Sequence, residues 1–297
     1  MSIVDSSPIV REYVRHGRSE SCPIVDMHGH LGPFHGGYLP NSPLEKMRRS
    51  MARSGTKRIV CSAHNALFVD VDYGNQEMQA VIDQYPEEFS GYWMVNPNYP
   101  EITARATHDF EHSHGFVGFK FLPDYHTYPV TGNGYAPVLE YADAHRLLVL
   151  VHTWGGSSFN SPQQIAEVAA RYSGAIFIMG HSGFGDWANA VSVAKDLPNA
   201  YLELTAVYAA HDWAMIPTGS GSPVPFASCL QVNGIIEYMV EGASSKKILF
   251  GTDLPWYSPH YAAGAVLFAR IDDDARHDIL HGNAERLLSA FPDRVRV

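Results

Sequence analysis

The chain has 297 residues, of which 45% are hydrophobic and 18% charged, and a formal charge of -10. This is the composition of an ordinary globular protein with room for a sizeable core, which excludes a disordered chain. Net negative charge without a Lys/Arg run speaks against nucleic acid or an anionic membrane surface as partner and leaves a small molecule.

Residues 1–23 carry Asp5, Arg11, Glu12, Arg15, Arg18 and Glu20 through their length, so they read as a polar N-terminal arm with no apolar signal core. No stretch reaches the ~20 apolar residues of a membrane helix. Cys22, Cys61 and Cys229 form no Cys-x-x-Cys pair and suggest neither a disulfide framework nor a thiolate metal site. A reducing, cytoplasmic location is the expectation.

From residue 24 short continuous apolar runs alternate with amphipathic segments. Continuous runs are the mark of strands covered on both faces. There are eight: Ile24 to His28, Arg58 to Ala63, Tyr92 to Val95, Val117 to Leu122, Leu147 to His152, Ala175 to His181, Ala200 to Thr205 and Ile248 to Asp253. Ser42-Pro43-Leu44-Glu45 and Ser161-Pro162-Gln163-Gln164 each offer a capping hydroxyl, a proline at the first helical position and an acid or amide three residues on. Leu44, Met47 and Met51, like Ile165, Val168, Ala169 and Tyr172, then follow at helical spacing.

Eight βα units in one chain of this length, with no Gly-x-Gly-x-x-Gly turn, predict an α/β fold of one closed (β/α)8 TIM-type barrel over 24–297. Between Thr205 and Ile248 lies an oversized connection containing Pro217-Thr-Gly-Ser-Gly-Ser-Pro-Val-Pro225. Residues 206–229 are therefore a candidate lid over the barrel mouth. Helices over Asp274 to His281 and Ala284 to Ala290 close the chain.

Working residues of such a barrel sit at the carboxyl ends of its strands. The first strand delivers His28 and His30, one residue apart and therefore on one side of the pleat. Later strands end in Lys120, His152, His181, Glu203 with Thr205, and Asp253. Each has a plainer reading: a core histidine satisfied by a carbonyl, a turn-capping Asp253, a structural ion pair at Glu203. It is their convergence on one mouth that points to a metal site. His64, Asn96, Tyr125, His126, Trp154, His211 and Trp256 follow strand ends and are candidates to line a substrate pocket. His108, His112, His114 and His145 read as solvated helix histidines.

Asp26-Met-His-Gly-His30, Gly118-Phe-Lys120, Val151-His152, Gly180-His181-Ser-Gly183, Phe250-Gly-Thr-Asp253 and His281-Gly-Asn283-Ala-Glu-Arg-Leu together resemble the amidohydrolase superfamily. The resemblance runs from about residue 24 to 290. It is to the amidohydrolase-related branch that includes aminocarboxymuconate semialdehyde decarboxylase, which lacks the β-sandwich segment that precedes His-x-His in many amidohydrolases.

The resemblance implies that His28, His30, His152 and Asp253 ligate a divalent metal, most often zinc. Three nitrogens and a carboxylate with an open position form a catalytic zinc set, able to activate water and polarise a carbonyl. Asp253 and His181 are the candidate proton-handling residues. One ion is expected, or two if Lys120 is carbamylated and bridges them. Otherwise the Lys120 ammonium would bind a substrate carboxylate or pair with Glu203. Trp154, His211, His64 and Tyr125 are expected to contact substrate.

The activity that follows is metal-dependent hydrolysis of an amide, ester or lactone of a small, carboxylate-bearing molecule. Its alternative is non-oxidative decarboxylation of an aromatic or unsaturated carboxylic acid. A barrel that has lost catalysis and only binds would show gaps in the ligand set, and the sequence has none. Relatives commonly form dimers, which makes a homodimer the expected assembly.

Overall fold

A computed structural model of the chain describes residues 2–209 and 234–295. Eight strands follow one another around a parallel sheet in sequence order: β1 Ile24–Leu31, β2 Thr56–Ala63, β3 Phe89–Met94, β4 Phe116–Phe121, β5 Leu148–Trp154, β6 Ile176–Phe184, β7 Ala200–Glu203 and β8 Ile248–Leu249. The last strand returns to the first. Met27 N–H donates to Phe250 C=O at 2.9 Å, His30 N–H to Leu254 C=O at 2.7 Å, and Asp253 N–H to His28 C=O at 2.8 Å. The expected (β/α)8 barrel is the fold, and all eight runs become strands.

Covering helices bury the strands on the outside and side chains fill the inside, so every residue of β1 and β4 is buried. The helix Pro162–Arg171 turns Ile165, Val168 and Ala169 inward. At its start the Gln164 Oε1 accepts the Ser161 N–H at 3.1 Å, as a capping box requires. The helix Leu44–Ser54 buries Met47 and Met51, but its cap differs from expectation. Pro43 itself occupies the cap position, and no side chain bonds there. Gly118 has a packing role in β4. A Cβ there would overlap the Leu148 backbone of β5.

Two features depart from the sequence reading. Residues 1–23 carry two helices, Ile3–Ser6 and Pro8–His16, and the second buries Ile9, Val10 and Tyr13. Ser7 Oγ accepts the Val10 N–H at 3.1 Å and donates to Asp273 Oδ1 at 2.6 Å, which docks this helix on the chain's last helices. The helix expected over Asp274 to His281 keeps its α form only in its first half. Asp273–His277 leads into a π-helical turn, Asp278–Gly282, and then into Asn283–Leu288.

The candidate lid 206–229 lies outside the described residues from 210 onward, and so does His211. Among the described residues no helix is long and apolar enough to cross a membrane.

Candidate metal centre and substrate pocket

The residues expected at the carboxyl ends of the strands do meet at one rim. His28 is fully buried, and its two ring nitrogens have separate partners. Nδ1 lies 2.9 Å from Glu203 Oε2. Nε2 lies 2.8 Å from Lys120 Nζ and 3.3 Å from Asp253 Oδ1. His30 directs Nε2 to the same Asp253 oxygen at 3.0 Å and has Ser62 Oγ 3.2 Å from Nδ1. Asp253 Oδ1 is buried and has no hydrogen-bond donor, although two imidazole nitrogens face it.

That combination is the test of fit for a cation. A buried anionic oxygen without a donor, beside imidazole nitrogens whose other ring atoms are already engaged, offers lone pairs to a cation, and only the His28 Nε2 pair has a protein donor, Lys120 Nζ, which a metal would have to displace. Nitrogen and carboxylate oxygen are donors a divalent zinc or manganese ion accepts. The donor atoms of His28, His30 and Asp253 lie within 4.8 Å of one another, as do those of His28, His181 and Glu203. His152 is in neither group.

His152 belongs instead to a histidine pair. His181 Nδ1 faces Thr205 C=O at 3.3 Å, and its Nε2 is 3.0 Å from His152 Nδ1. Assigned from these partners, His181 donates from Nδ1 and accepts at Nε2 the proton on His152 Nδ1. His152 Nε2 is then a free lone pair. His152 lines the same cavity as His30 and Asp253.

Beneath this rim a second set of groups fixes the first. Glu203 is fully buried, and its Oε2 also accepts the His181 N–H at 3.1 Å, while Oε1 accepts the Thr205 N–H at 2.6 Å and the Thr205 hydroxyl. A carboxylate on the far nitrogen of a histidine sets that ring's tautomer and direction, the arrangement usual behind metal-bound imidazole. Gly251 is needed for it, since a Cβ there would overlap the Glu203 carboxylate. Asp26 ties β1 to the last strand by accepting the N–H of His28 at 3.0 Å and of Thr252 at 3.2 Å.

Burial decides the charge states. It drives His28 and His152 well below the ordinary imidazole value, and the neighbouring charge of Lys120 or His181 adds to it. His181 falls to about 4 for the same first reason. These rings are therefore neutral at neutral pH, as a ligand or base must be. Burial opposes ionisation of Asp253, yet His28 and His30 hold its carboxyl well below the carboxylate range. Lys120 is lowered to about 8 by burial, against the pull of Asp253 and Glu203.

His181, Ser182 and Asp253 adopt φ of 65°, 49° and 58°, left-handed values rare for residues with a side chain. Each costs on the order of 1–3 kcal/mol, and such outliers gather where a side chain must be aimed. All three sit at this rim.

Above the rim opens a cavity of 330 Å³. Phe34, Phe68, Tyr125, Trp154, Trp256 and Tyr257 form its walls, and His30, His152, His181 and Asp253 its floor. Among the described residues no lysine or arginine lines it. Trp154 lies parallel to His152, with an interplanar angle of 2°, and stacks on Phe184 at 4.5 Å. Tyr125 meets His152 edge-on.

Two expected substrate contacts take other positions. Lys120 is fully buried below the floor, bonded to His28 and absent from the cavity wall. His64 reaches the wall with both nitrogens spent, since its Nδ1 bonds Gly32 C=O at 2.7 Å and its Nε2 accepts the Trp256 Nε1–H at 3.0 Å. Burial lowers it to about 3, so it offers substrate a ring face and no proton.

The sequence reading gives Glu203 and Gly251 no orienting role and passes over Ser62 and Phe34. The one available signal was an acid isolated within the apolar run Leu202-Glu-Leu204.

The family model described as amidohydrolase matches residues 25–289. No curated protein matches the chain. Among solved structures, an uncharacterised TIM-barrel protein from Bordetella bronchiseptica is 19% identical with a TM-score of 0.67, over 90% of this chain and 99% of its own. The 5-carboxyvanillate decarboxylase from Novosphingobium aromaticivorans, complexed with manganese and 4-hydroxy-3-methoxy-5-nitrobenzoic acid, is 10% identical with a TM-score of 0.64, over 90% and 96%. A 2,6-dihydroxybenzoate decarboxylase from Rhizobium is 14% identical with a TM-score of 0.61, over 90% and 99%. At these identities the likeness is one of fold.

Proposed function

The chain belongs to the amidohydrolase family, and from that premise we propose that it is a metal-dependent decarboxylase of a small aromatic carboxylic acid. The observation that carries this reading is the cavity itself: flat aromatic walls over a floor of imidazoles and one carboxylate, with no cationic side chain among its described lining. A ring slides between such walls by stacking. Its carboxylate then needs a cation on the floor, and the His28, His30 and Asp253 donors fit one. Support also comes from two neighbours of this fold whose names are those of benzoate-type decarboxylases.

Held by His28, His30 and Asp253, with His152 on the cavity side, a divalent ion such as zinc or manganese would polarise a bound carboxylate or carbonyl. The chain's own groups supply the rest. Trp154 and the facing aromatics hold the ring plane. Glu203 and Ser62 keep His28 and His30 aimed. The His152–His181 pair lies on the floor where a ring carbon can meet it. As the bond between ring and carboxylate breaks, carbon dioxide leaves and the electron pair stays on the ring carbon. The lone pair on His152 Nε2 first takes a proton from water, and the imidazolium so formed, a strong acid because burial holds its value low, hands that proton to the ring carbon as carbon dioxide leaves.

The second reading is hydrolysis of an amide, ester or lactone. It is favoured by the ionised Asp253, a carboxylate placed to accept a proton from water. The two separate on product. Protein loaded with zinc or manganese is incubated with 2,6-dihydroxybenzoate, 5-carboxyvanillate and related hydroxybenzoates, and with aryl amides, esters and lactones. Carbon dioxide release with loss of the carboxyl group is expected. A new carboxylate with no carbon dioxide from any acid would replace this reading with the second.

A further inference from the structure

At the opposite end of the barrel, below the start of β1, a second group of ligand-type side chains meets. Cys22 is buried just before that strand, while His277 precedes the π-helical turn Asp278–Gly282 and His281 lies within it. Their donor atoms lie within 4.8 Å of one another. His277 Nδ1 and His281 Nε2 are 3.0 Å apart. Tetrahedral bonds of about 2.3 Å to sulfur and about 2.0–2.1 Å to nitrogen place neighbouring donors roughly 3.3–3.6 Å apart, so small side-chain rotations suffice.

A further observation points to a ligand. His281 Nδ1 lies 3.0 Å from Glu285 Oε2, which fixes the tautomer with its lone pair on Nε2, the atom facing His277. This is the carboxylate–histidine arrangement that backs His28 at the other end. The π-turn matters too. It adds a residue to the local winding between the two histidines, and such turns are frequent at functional sites. Cys22 is free of any disulfide.

We propose that Cys22, His277 and His281 form a second metal site, for zinc or a similar soft-tolerant divalent ion, with water completing the coordination. The Cys22 thiol loses its proton to solvent as the sulfur–metal bond forms. The ion ties the segment entering the first strand to the chain's last helices. It is a structural clasp, separate from the pocket and independent of its reaction.

Cobalt is the probe, because a thiolate ligand gives Co2+ a strong near-ultraviolet charge-transfer band that nitrogen and oxygen donors lack. The full-length protein, depleted with chelator, is titrated with Co2+. Two equivalents are expected to bind, one of them with the thiolate band. Cys22→Ser should abolish the band and leave the other equivalent bound, and His281→Ala should weaken the banded equivalent at least tenfold. Absence of the band at saturation, or a band that survives Cys22→Ser, would overturn the site. Should those variants fail to fold, the surface change Glu285→Gln decides. A drop of about tenfold in the banded affinity supports the site, and no change refutes it.

Discussion

The floor of the pocket and its walls are built on opposite principles. On the floor almost every polar atom has a fixed partner. His28 is held by Glu203, His30 by Ser62, and Asp253 by its own left-handed backbone. Apart from Trp154, which ends β5, the walls are aromatic faces on the connections beyond the strands, and their polar atoms are few or, as in His64, already consumed. The difference teaches where each property resides. Reaction type belongs to strand ends that the sheet cannot move, and substrate choice belongs to loops that can change without disturbing it.

The largest effect should come from the floor. Asp253→Asn removes the negative charge shared by two imidazoles, and a loss on the order of 10³-fold in kcat/KM, about 4 kcal/mol, is expected together with loss of bound metal. Metal analysis of the purified variant checks it, and a fully loaded, active variant would break the contrast. Next comes the support beneath. Glu203→Gln keeps size but weakens the hold on His28, so metal affinity should fall about 10–100-fold while the substrate KM of the reloaded enzyme changes little. Competition with a chelator measures it.

His64 sits between floor and wall, and it sharpens the comparison through stability. Its folded value is about 3 against an ordinary 6.5, so between those values the unfolded chain binds a proton that the folded chain refuses. The stability it supports is complete above pH 6.5 and is lost as pH falls towards 3, by about 1.4 kcal/mol per pH unit. Urea unfolding at pH 7.5, 6 and 5 should show this slope, and His64→Gln should remove that share of it. The smallest effect belongs to a wall. Trp154→Ala deletes a stacking face worth about 1 kcal/mol, so KM should rise roughly fivefold with metal content unchanged. A loss of metal instead would mean that wall and floor are not separable.

The barrel and its rim were legible because they depend on local pattern. A buried parallel strand announces itself as an apolar run, and a polar residue ending such a run has only the strand's end to occupy. His28, His152 and Asp253 were found in this way. What escaped depends on pairs distant in sequence. His64 reads as an available imidazole until Trp256, 192 residues on, is seen to occupy it. Lys120 looks like a substrate anchor until the packing of β4 sinks it below the floor. Glu203 is the same letter in a run whether it makes an idle ion pair or aims a histidine. The Ser42 signal misled for a smaller reason. Proline at that point can itself take the cap position, and the hydroxyl before it is then one residue too early.

Closure of the cylinder has a consequence for how it comes apart. First and last strands are joined by a handful of backbone bonds, among them those from Met27, His30 and Asp253, and the closing strand proper is only Ile248–Leu249. His28 and His30 stand on one margin of that join and Asp253 on the other, so a cation held by all three would also rivet the margin shut. A chelated molecule should therefore gape there first. Amide exchange at Met27 and His30 would quicken well before the β4–β5 junction on the far side of the ring gives way.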